Sequence, residues 1–305
     1  MLNSLEKACV DAYRKPEPAA PKFEDESSRW VAFGLYMLLD AGRLVREKRM
    51  VASRQDVRYK DDGSPATRLE ADIELLLRER LATFEPSAVV IGEETGGALS
   101  RSGVEIAIDP VDGTWAFLSS TETYTTTLAV FRDGVPVLGM ISNPTTGEIG
   151  YTTVGGDARL VQLSVFGESD QAVSLPEHDD ATREILVNFH PSRSWGSVVG
   201  GLYEAWRERE VRMVRSPGGS PSWALVEAAR GAFVYLNMWS KHRVEPYDLA
   251  AGVLLVRNAG GEVTDLEGKP IDMLSHAGPF VASIHERGRH RVAEIARSLL
   301  TENEE

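Results

Sequence analysis

The sequence is short of cysteine, long hydrophobic runs and positive charge, and each shortage excludes a class of protein. Its 305 residues include one cysteine, Cys9, which excludes an internal disulfide and a zinc site made of thiolates. The six histidines show none of the short spacings of histidine-based metal sites. No apolar stretch is as long as a membrane-spanning helix, which needs about 18 residues. The polar N-terminus lacks the pattern of a signal peptide. We therefore expect a cytoplasmic protein with no membrane partner.

Positive charge is scarce relative to negative charge. The chain has 33 lysine and arginine residues against 46 aspartate and glutamate residues, a formal net charge of −13. This balance argues against a nucleic acid polymer as partner, because such binding is driven by the release of counterions from phosphate groups. It also disfavours an anionic substrate unless local cations reverse the field. Bound divalent metal ions would supply that positive charge.

The hydrophobic pattern of the first half predicts helices followed by a sheet. A proline-rich arm over residues 15–28 precedes apolar residues at helical spacing over residues 30–50 and 70–81. Short β runs separated by glycine turns then follow over residues 88–175. This alternation predicts an antiparallel meander with helices on one side.

The second half of the sequence predicts a different order of strands and helices. The polar residues 176–182 form the best candidate for a domain boundary, and strands and helices alternate beyond it, as in an α/β layer. We therefore expect an α+β subdomain over residues 1–182 and an α/β subdomain over residues 183–305. The predicted C-terminal segments are strands over 184–188, 211–214 and 233–236 and helices over 200–209, 221–229 and 246–258.

Residues 109–114, DPVDGT, form the most informative segment of the chain. Two carboxylates three residues apart follow the apolar run 104–108. We expect Pro110 to end that strand, and Gly113 and Thr114 to begin a helix whose free N–H groups can bind an anion. Carboxylates for a hard cation beside N–H groups for phosphate are what metal-assisted phosphoryl chemistry needs. The alternative is an Asx turn that caps a helix.

Two further segments place acids at the ends of predicted elements. Residues 92–94, GEE, follow the apolar run 88–91. Residues 247–252, YDLAAG, open an amphipathic helix with Asp248 in its first turn. An acid there is also explained by the positive end of the helix dipole.

Together the three segments resemble the inositol monophosphatase family, within the lithium-sensitive, magnesium-dependent phosphatases. The family pattern is G-E-E, then D-P-[ILV]-D-G-T, then [WY]-D-x-A-A-G with a late Gly-Gly, here at residues 260–261. The resemblance extends from about residue 60 to the end of the chain. It implies an α-β-α-β-α layered sandwich of two subdomains and a small phosphorylated metabolite as substrate. It also implies lithium sensitivity and a homodimer.

The resemblance also implies a magnesium site. Glu93, Asp109 and the carbonyl of Val111 hold one Mg²⁺ ion, and Asp109 bridges to a second ion that Asp112 and Asp248 also bind. A third ion near Glu93 would be more weakly held, and Asp248 would also line the substrate pocket. Two carboxylates 4 Å apart repel each other by roughly 4 kcal/mol at an effective dielectric constant near 20, so four gathered acids require cations.

Three residues are implied to be catalytic: Thr114, Glu70 and, through the metal, Glu93. Thr114 would orient the attacking water, and phosphate would lie against the N–H groups of Gly113 and Thr114. In the family an aspartate three residues after a threonine assists Thr114, whereas Glu70 stands at that position here. The alternative for Glu70 is an ordinary acid in the first turn of a helix.

The substrate side departs from the family pattern. Gly219 and Ser220 match its substrate-lining segment, although Ser220 is equally explained as a helix N-cap. Lys241, with Arg243 beside it, stands where inositol phosphatases usually carry an acid, and Ala116 replaces a usual asparagine. This basic cluster would bind a second phosphate or a carboxylate of the substrate, or else forms a solvated loop.

These observations favour a Mg²⁺-dependent phosphomonoesterase that acts on a small sugar or polyol phosphate such as inositol 1-phosphate. Fructose 1,6-bisphosphate, a 3′-phosphonucleotide and histidinol phosphate stay open as substrates. A catalytically silent homologue that acts as a sensor or scaffold is a further alternative. The complete set of acids argues against it, because a silent protein has no reason to retain clustered like charges.

Overall fold

Two large β-sheets, each covered by helices on both faces, organise the described part of the chain, and residues 57–59 and 65–67 pair in a third sheet of two short strands. The computed structural model describes residues 1–14, 23, 25–49, 57–60, 65–119, 121–163, 171–173, 186–190, 195–216, 219–238 and 245–300. The helices in these ranges are α1 (Ser4–Tyr13), α2 (Glu26–Arg49), α3 (Arg68–Phe84), α4 (Thr114–Leu118), α5 (Gly196–Arg207), α6 (Pro221–Ala229), α7 (Pro246–Asn258) and α8 (Glu286–Leu300). The strands are β1 (Val57–Tyr59), β2 (Pro65–Thr67), β3 (Val89–Gly92), β4 (Val104–Asp112), β5 (Thr125–Arg132), β6 (Val135–Asn143), β7 (Glu148–Thr153), β8 (Arg159–Gln162), β9 (Gln171–Val173), β10 (Leu186–His190), β11 (Met213–Arg215), β12 (Val234–Asn237), β13 (Glu262–Thr264) and β14 (Phe280–Ser283).

The larger sheet has seven strands in the order β3-β4-β5-β6-β7-β8-β9. β3 and β4 are parallel, and the other neighbours are antiparallel. Side chains alternate between the two faces of a sheet along each strand. On β4, Ile106 and Ile108 belong to the hydrophobic core that includes α2 and α3, whereas Ala107 belongs to the core that includes α6 and α7. Both faces of this sheet are therefore buried.

The smaller sheet has five strands in the order β11-β10-β12-β14-β13. α5 and α8 pack against it in one hydrophobic core, and α6 and α7 lie between it and the larger sheet. Five layers result, in the order helix, sheet, helix, sheet, helix. The predicted α-β-α-β-α sandwich is confirmed.

A close contact fixes α7 on the larger sheet. A Cβ atom added to Gly139 of β6 would lie 2.8 Å from the Cα atom of Ala251 of α7. Only glycine permits the backbones of strand and helix to approach this closely. This contact sets the height of α7 above the sheet.

Two expectations from the sequence are wrong. Helices do not lie on one side of the meander, because α6 and α7 return from later in the chain to cover its second face. Pro110 does not end β4, which continues to Asp112. The pairing with β5 shifts register between Asp109 and Asp112, and proline is tolerated at such an irregularity because no ladder hydrogen bond needs its nitrogen.

All the predicted helices are present; α6 and α7 have the predicted bounds, and the bounds of the others differ by a few residues. α2 begins at Glu26, inside the predicted arm, and α3 begins at Arg68 because Thr67 and Glu70 form a capping box. Residues 15–22 and 176–182 lie outside the described residues, so the division at residue 182 stays a prediction. None of the described helices is long and apolar enough to cross a membrane.

Candidate active site

The two aspartates of the DPVDGT segment lie at the end of β4. Residues three apart on a regular strand face opposite sides of a sheet. Here Asp109 pairs with Thr127 and Asp112 pairs with Thr125, so the shift in register between them changes that alternation. As a result both carboxylates point into the same site, where a backbone N–H, that of Val111, donates to Oδ1 of Asp109 at 2.8 Å.

Asp248 reaches the same place from the first turn of α7. The hydroxyl of Thr127 donates to the carbonyl oxygen of Tyr247 at 2.6 Å, which ties the start of α7 to β5. The hydroxyl of Ser222 donates to the carbonyl oxygen of Asp248 at 2.7 Å, which ties it to α6. Carboxylate oxygens of Asp109, Asp112 and Asp248 all lie within 4.8 Å of one another. We call these three residues the aspartate triad.

The N-terminus of α6 holds Asp112. The N–H of Ser222 donates to Oδ2 of Asp112 at 2.9 Å, and the hydroxyl of Ser220 donates to the same oxygen. The Ser220 hydroxyl also accepts from the N–H of Trp223 at 2.8 Å. Ser220 is therefore a helix N-cap that also contacts the triad, and its role in lining the substrate pocket stays a prediction.

Two glycines let the segments around the triad approach closely. Gly113 has a φ of +89°, and a Cβ atom on it would lie 2.9 Å from the backbone nitrogen of Ser220. Gly219 packs against Thr123, whose carbonyl oxygen accepts from the N–H of Ser220 at 2.7 Å. These contacts bring the start of α4 against the start of α6.

Thr114 and Glu70 form a buried pair beside the triad. The Thr114 hydroxyl donates to Oε1 of Glu70 at 2.7 Å and lies 3.4 Å from the carbonyl oxygen of Val111. The second oxygen of Glu70 accepts from the N–H of Thr67 in the capping box. Burial raises the pKa of Glu70 to about 7, although the hydrogen bonds from Thr114 and Thr67 partly oppose this shift. Glu70 is thus both a cap and the partner of Thr114.

Glu93 lies in the turn after β3 and has cationic neighbours. Its carboxylate is not a member of the 4.8 Å group and pairs with the ammonium of Lys60 at 2.7 Å. Lys60 also pairs with Glu94 at 3.0 Å, and Arg58 pairs with Glu94 at 2.9 Å. Burial raises the pKa of Glu93, and Lys60 partly opposes this shift. We call Glu93, Glu94, Lys60 and Arg58 the glutamate corner.

The triad and the glutamate corner interact electrostatically. Burial raises the pKa of Asp109 well above its usual range, and the charges of Glu93, Asp112 and Asp248 raise it further. Burial likewise raises the pKa of Asp248, which keeps a partial opening to solvent, and Asp112 and Glu93 add to the shift. Gathering these acids therefore disfavours their ionised forms unless a cation is bound.

The donor set fits a hard divalent cation. Its atoms are carboxylate oxygens, and Mg²⁺ prefers oxygen ligands. Roles for Lys241 and Arg243 were expected from the sequence, but both residues lie outside the described ranges. Sequence reasoning missed the contribution of Ser222. The sequence could have indicated this role, because Ser222 comes two residues after the N-cap Ser220. Backbone N–H groups in the first turn of a helix have no partner within the helix and can donate to a carboxylate.

The amino-acid sequence is similar to that of several phosphatases. A sequence model described as the inositol monophosphatase family matches residues 29–300, so the similarity begins earlier than expected, within α2. A histidinol-phosphatase of Mycobacterium tuberculosis is 30% identical over 216 residues, which cover 68% of this chain and 77% of the relative. An inositol-1-monophosphatase of Rhizobium meliloti is 27% identical over 248 residues, which cover 80% and 85%.

Solved structures show the same fold. The IMPase of Thermotoga maritima superposes with a TM-score of 0.72 at 22% identity and covers 90% of this chain and 98% of its own. An IMPase/NADP phosphatase solved with Mg²⁺ and phosphate gives a TM-score of 0.71 at 18% identity, with coverage of 89% and 96%. Motifs, layers and family match agree, and the chain belongs to the inositol monophosphatase family.

Proposed function

We propose that the protein is a Mg²⁺-dependent phosphomonoesterase that hydrolyses a small sugar or polyol phosphate. The convergence of the aspartate triad beside the Thr114–Glu70 pair carries this proposal. Residues from β4, α3 and α7 meet there although they are distant in sequence. A group of buried acids next to a hydrogen-bonded hydroxyl is suited to placing a water molecule against a phosphate ester.

The metal ligands we propose are Asp109, Asp112, Asp248, Glu93 and the carbonyl of Val111, for two or three Mg²⁺ ions. When bound, Mg²⁺ supplies the positive charge that a phosphate substrate needs and lowers the pKa of coordinated water. The N–H groups of Gly113 and Thr114 are proposed to donate to the phosphate oxygens. Gly219 and Ser220 border the same space and are proposed to contact the substrate.

Thr114 and Glu70 are proposed to move the proton. Water attacks phosphorus in line with the ester P–O bond, which breaks. The water gives its proton to Oγ of Thr114, while the Thr114 proton passes to Oε1 of Glu70, and the departing alkoxide takes up a proton from solvent. A carboxylate whose pKa is near 7 is well matched to this task at neutral pH. The longer arm of glutamate therefore serves where the family usually has aspartate.

A panel of phosphate esters tests the reaction and the substrate class together. Inositol 1-phosphate, histidinol phosphate, fructose 1,6-bisphosphate and a 3′-phosphonucleotide would each be assayed for phosphate release, with Mg²⁺ and with EDTA. We expect release that requires Mg²⁺, fastest with a single-phosphate polyol. The relative from M. tuberculosis makes histidinol phosphate the second candidate. No Mg²⁺-dependent release from any ester would contradict the proposed function.

A further inference from the structure

The turn that carries Glu93 is closed at its base. The N–H of Gly96 donates to the carbonyl oxygen of Gly92 at 2.9 Å, and the N–H of Gly92 donates back to Gly96 at 3.3 Å. Glu93 and Glu94 project from this closed turn. The direction of the Glu93 side chain therefore depends on what holds the turn.

The carboxylate of Glu74, from α3, fills the turn. Its Oε2 accepts from the N–H of Glu94 at 2.8 Å, and its Oε1 accepts from the N–H of Thr95 at 3.2 Å and from the Thr95 hydroxyl. A Cβ atom on Gly92 would overlap this carboxylate, which explains the glycine there. Successive N–H groups that converge on one anion are a recurring way to fix a loop.

Arg78, one helical turn further along α3, completes the arrangement. Its Nε donates to Oε1 of Glu74 at 3.0 Å and compensates a carboxylate that is fully buried. Its guanidinium also donates to the carbonyl oxygens of Val90 at 2.8 Å and Gly96 at 3.3 Å. Glu74 and Arg78 together therefore bind the end of β3 and the backbone of the turn from residue 94 to residue 96.

Glu70, Glu74 and Arg78 are spaced by four residues and share one side of α3. Glu70 contacts Thr114, and the other two hold the turn of Glu93. We infer that Glu74 and Arg78 are positioning residues that fix Glu93 for divalent cation binding, so that α3 aligns two sides of the site. This inference rests on the proposed role of Glu93 as a metal ligand.

The test is direct Mn²⁺ binding to the whole protein without substrate, followed by EPR of the free ion. Glu74→Gln removes one acceptor oxygen and leaves a donor facing the Glu94 or Thr95 N–H group. We expect about tenfold weaker Mn²⁺ binding, at the lower end of the effects seen when groups behind a ligand are changed. Glu79→Gln makes the same chemical change at an exposed position of α3 and should bind Mn²⁺ like the unmodified protein.

A reference variant and a thermal melt separate the outcomes. Glu93→Gln should weaken Mn²⁺ binding at least as much as Glu74→Gln does. Unchanged binding in Glu93→Gln would refute its role as a ligand. Weak binding in Glu93→Gln with normal binding in Glu74→Gln would overturn only the positioning role. If Glu74→Gln does not fold, Arg78→Gln, at a partly exposed position, replaces it with the same expected shift.

Discussion

The aspartate triad and the glutamate corner are both acidic, but the protein stabilises them differently. In the triad, neutral donors hold the carboxylates: the N–H groups of Val111 and Ser222 and the hydroxyl of Ser220. In the glutamate corner, the ammonium of Lys60 and the guanidinium of Arg58 hold them. A cation that enters the corner must compete with a lysine, whereas neutral donors leave the triad's charge in place. If the proposed ligands hold divalent ions, we therefore expect the first ion at the triad and weaker binding at Glu93.

Removing one charge from the triad is expected to have the largest effect. Asp112→Asn keeps the side-chain volume but loses the charge that attracts the metal, so turnover should fall by at least about a thousandfold. Metal-free folding should be nearly unchanged, because the relief of charge repulsion offsets the weaker hydrogen bonds that an amide oxygen accepts from Ser220 and Ser222. Phosphate release and thermal melting measure the two effects. Asp72→Asn, at an exposed position of α3, is the matched control, and normal turnover in Asp112→Asn would refute the metal assignment.

The next largest effect is expected at Glu70. Glu70→Gln keeps an oxygen that accepts from Thr114 but cannot take up a proton, so kcat should fall by about a hundredfold. In the unmodified protein kcat should rise as the pH passes through the pKa of this group, and in the variant that rise should vanish. The pH dependence of kcat at saturating Mg²⁺ is the measurement. A rise that persists unchanged in Glu70→Gln would assign the proton transfer to another group.

The raised pKa values also predict how the metal-free protein responds to pH. Because Glu70 binds its proton more tightly when folded than when unfolded, stability falls as the pH rises from about 4.5 towards 7 and beyond. Burial and like charges act in the same direction at Asp109 and Asp248. With EDTA, the melting temperature should be higher at pH 6 than at pH 8 by about 2 °C or more. Glu70→Gln should reduce this difference, and a higher melting temperature at pH 8 would contradict the assigned shifts.

The smallest effect is expected from a change at Lys60. This change tests whether the cations of the glutamate corner weaken metal binding there. Lys60→Met removes the cation that competes for Glu93, so the weakest Mn²⁺ site should tighten by about threefold to fivefold at low salt. Binding at the triad should not change. A Mn²⁺ titration that resolves strong and weak sites is the measurement. Tightening confined to the strong site would reverse the proposed order of binding.

The sequence predicted the elements of the site better than their arrangement. The motif spacing placed Asp248 at the start of a helix, which is confirmed, and it placed Asp109 and Asp112 where a strand ends, although that strand continues to Asp112 and does not stop at Pro110. The shift in register at Pro110 could not be predicted, because it depends on pairing with β5. The packing of α6 and α7 on the larger sheet could not be predicted either, because local periodicity does not show which distant helix packs on a strand.

Glu70 shows why two interpretations of one residue need not compete. From the sequence, Glu70 was either an ordinary acid in the first turn of a helix or, by its resemblance to the family aspartate, a partner for Thr114; the structure adds that it closes a capping box with Thr67. The two carboxylate oxygens divide these tasks between them. Ser220 divides its contacts in the same way, between a helix N–H and the carboxylate of Asp112. Each residue joins the start of a helix to the site.

The close approach of Gly139 to Ala251 links the hydrophobic interior to the position of Asp248. Asp248 belongs to the first turn of α7, and α7 packs on β6 at Gly139. The distance between this helix and this strand therefore affects how close Asp248 lies to Asp109 and Asp112. A methyl group added at residue 139 would therefore push α7 away from the sheet and Asp248 away from Asp109 and Asp112, although all three acids would be unchanged.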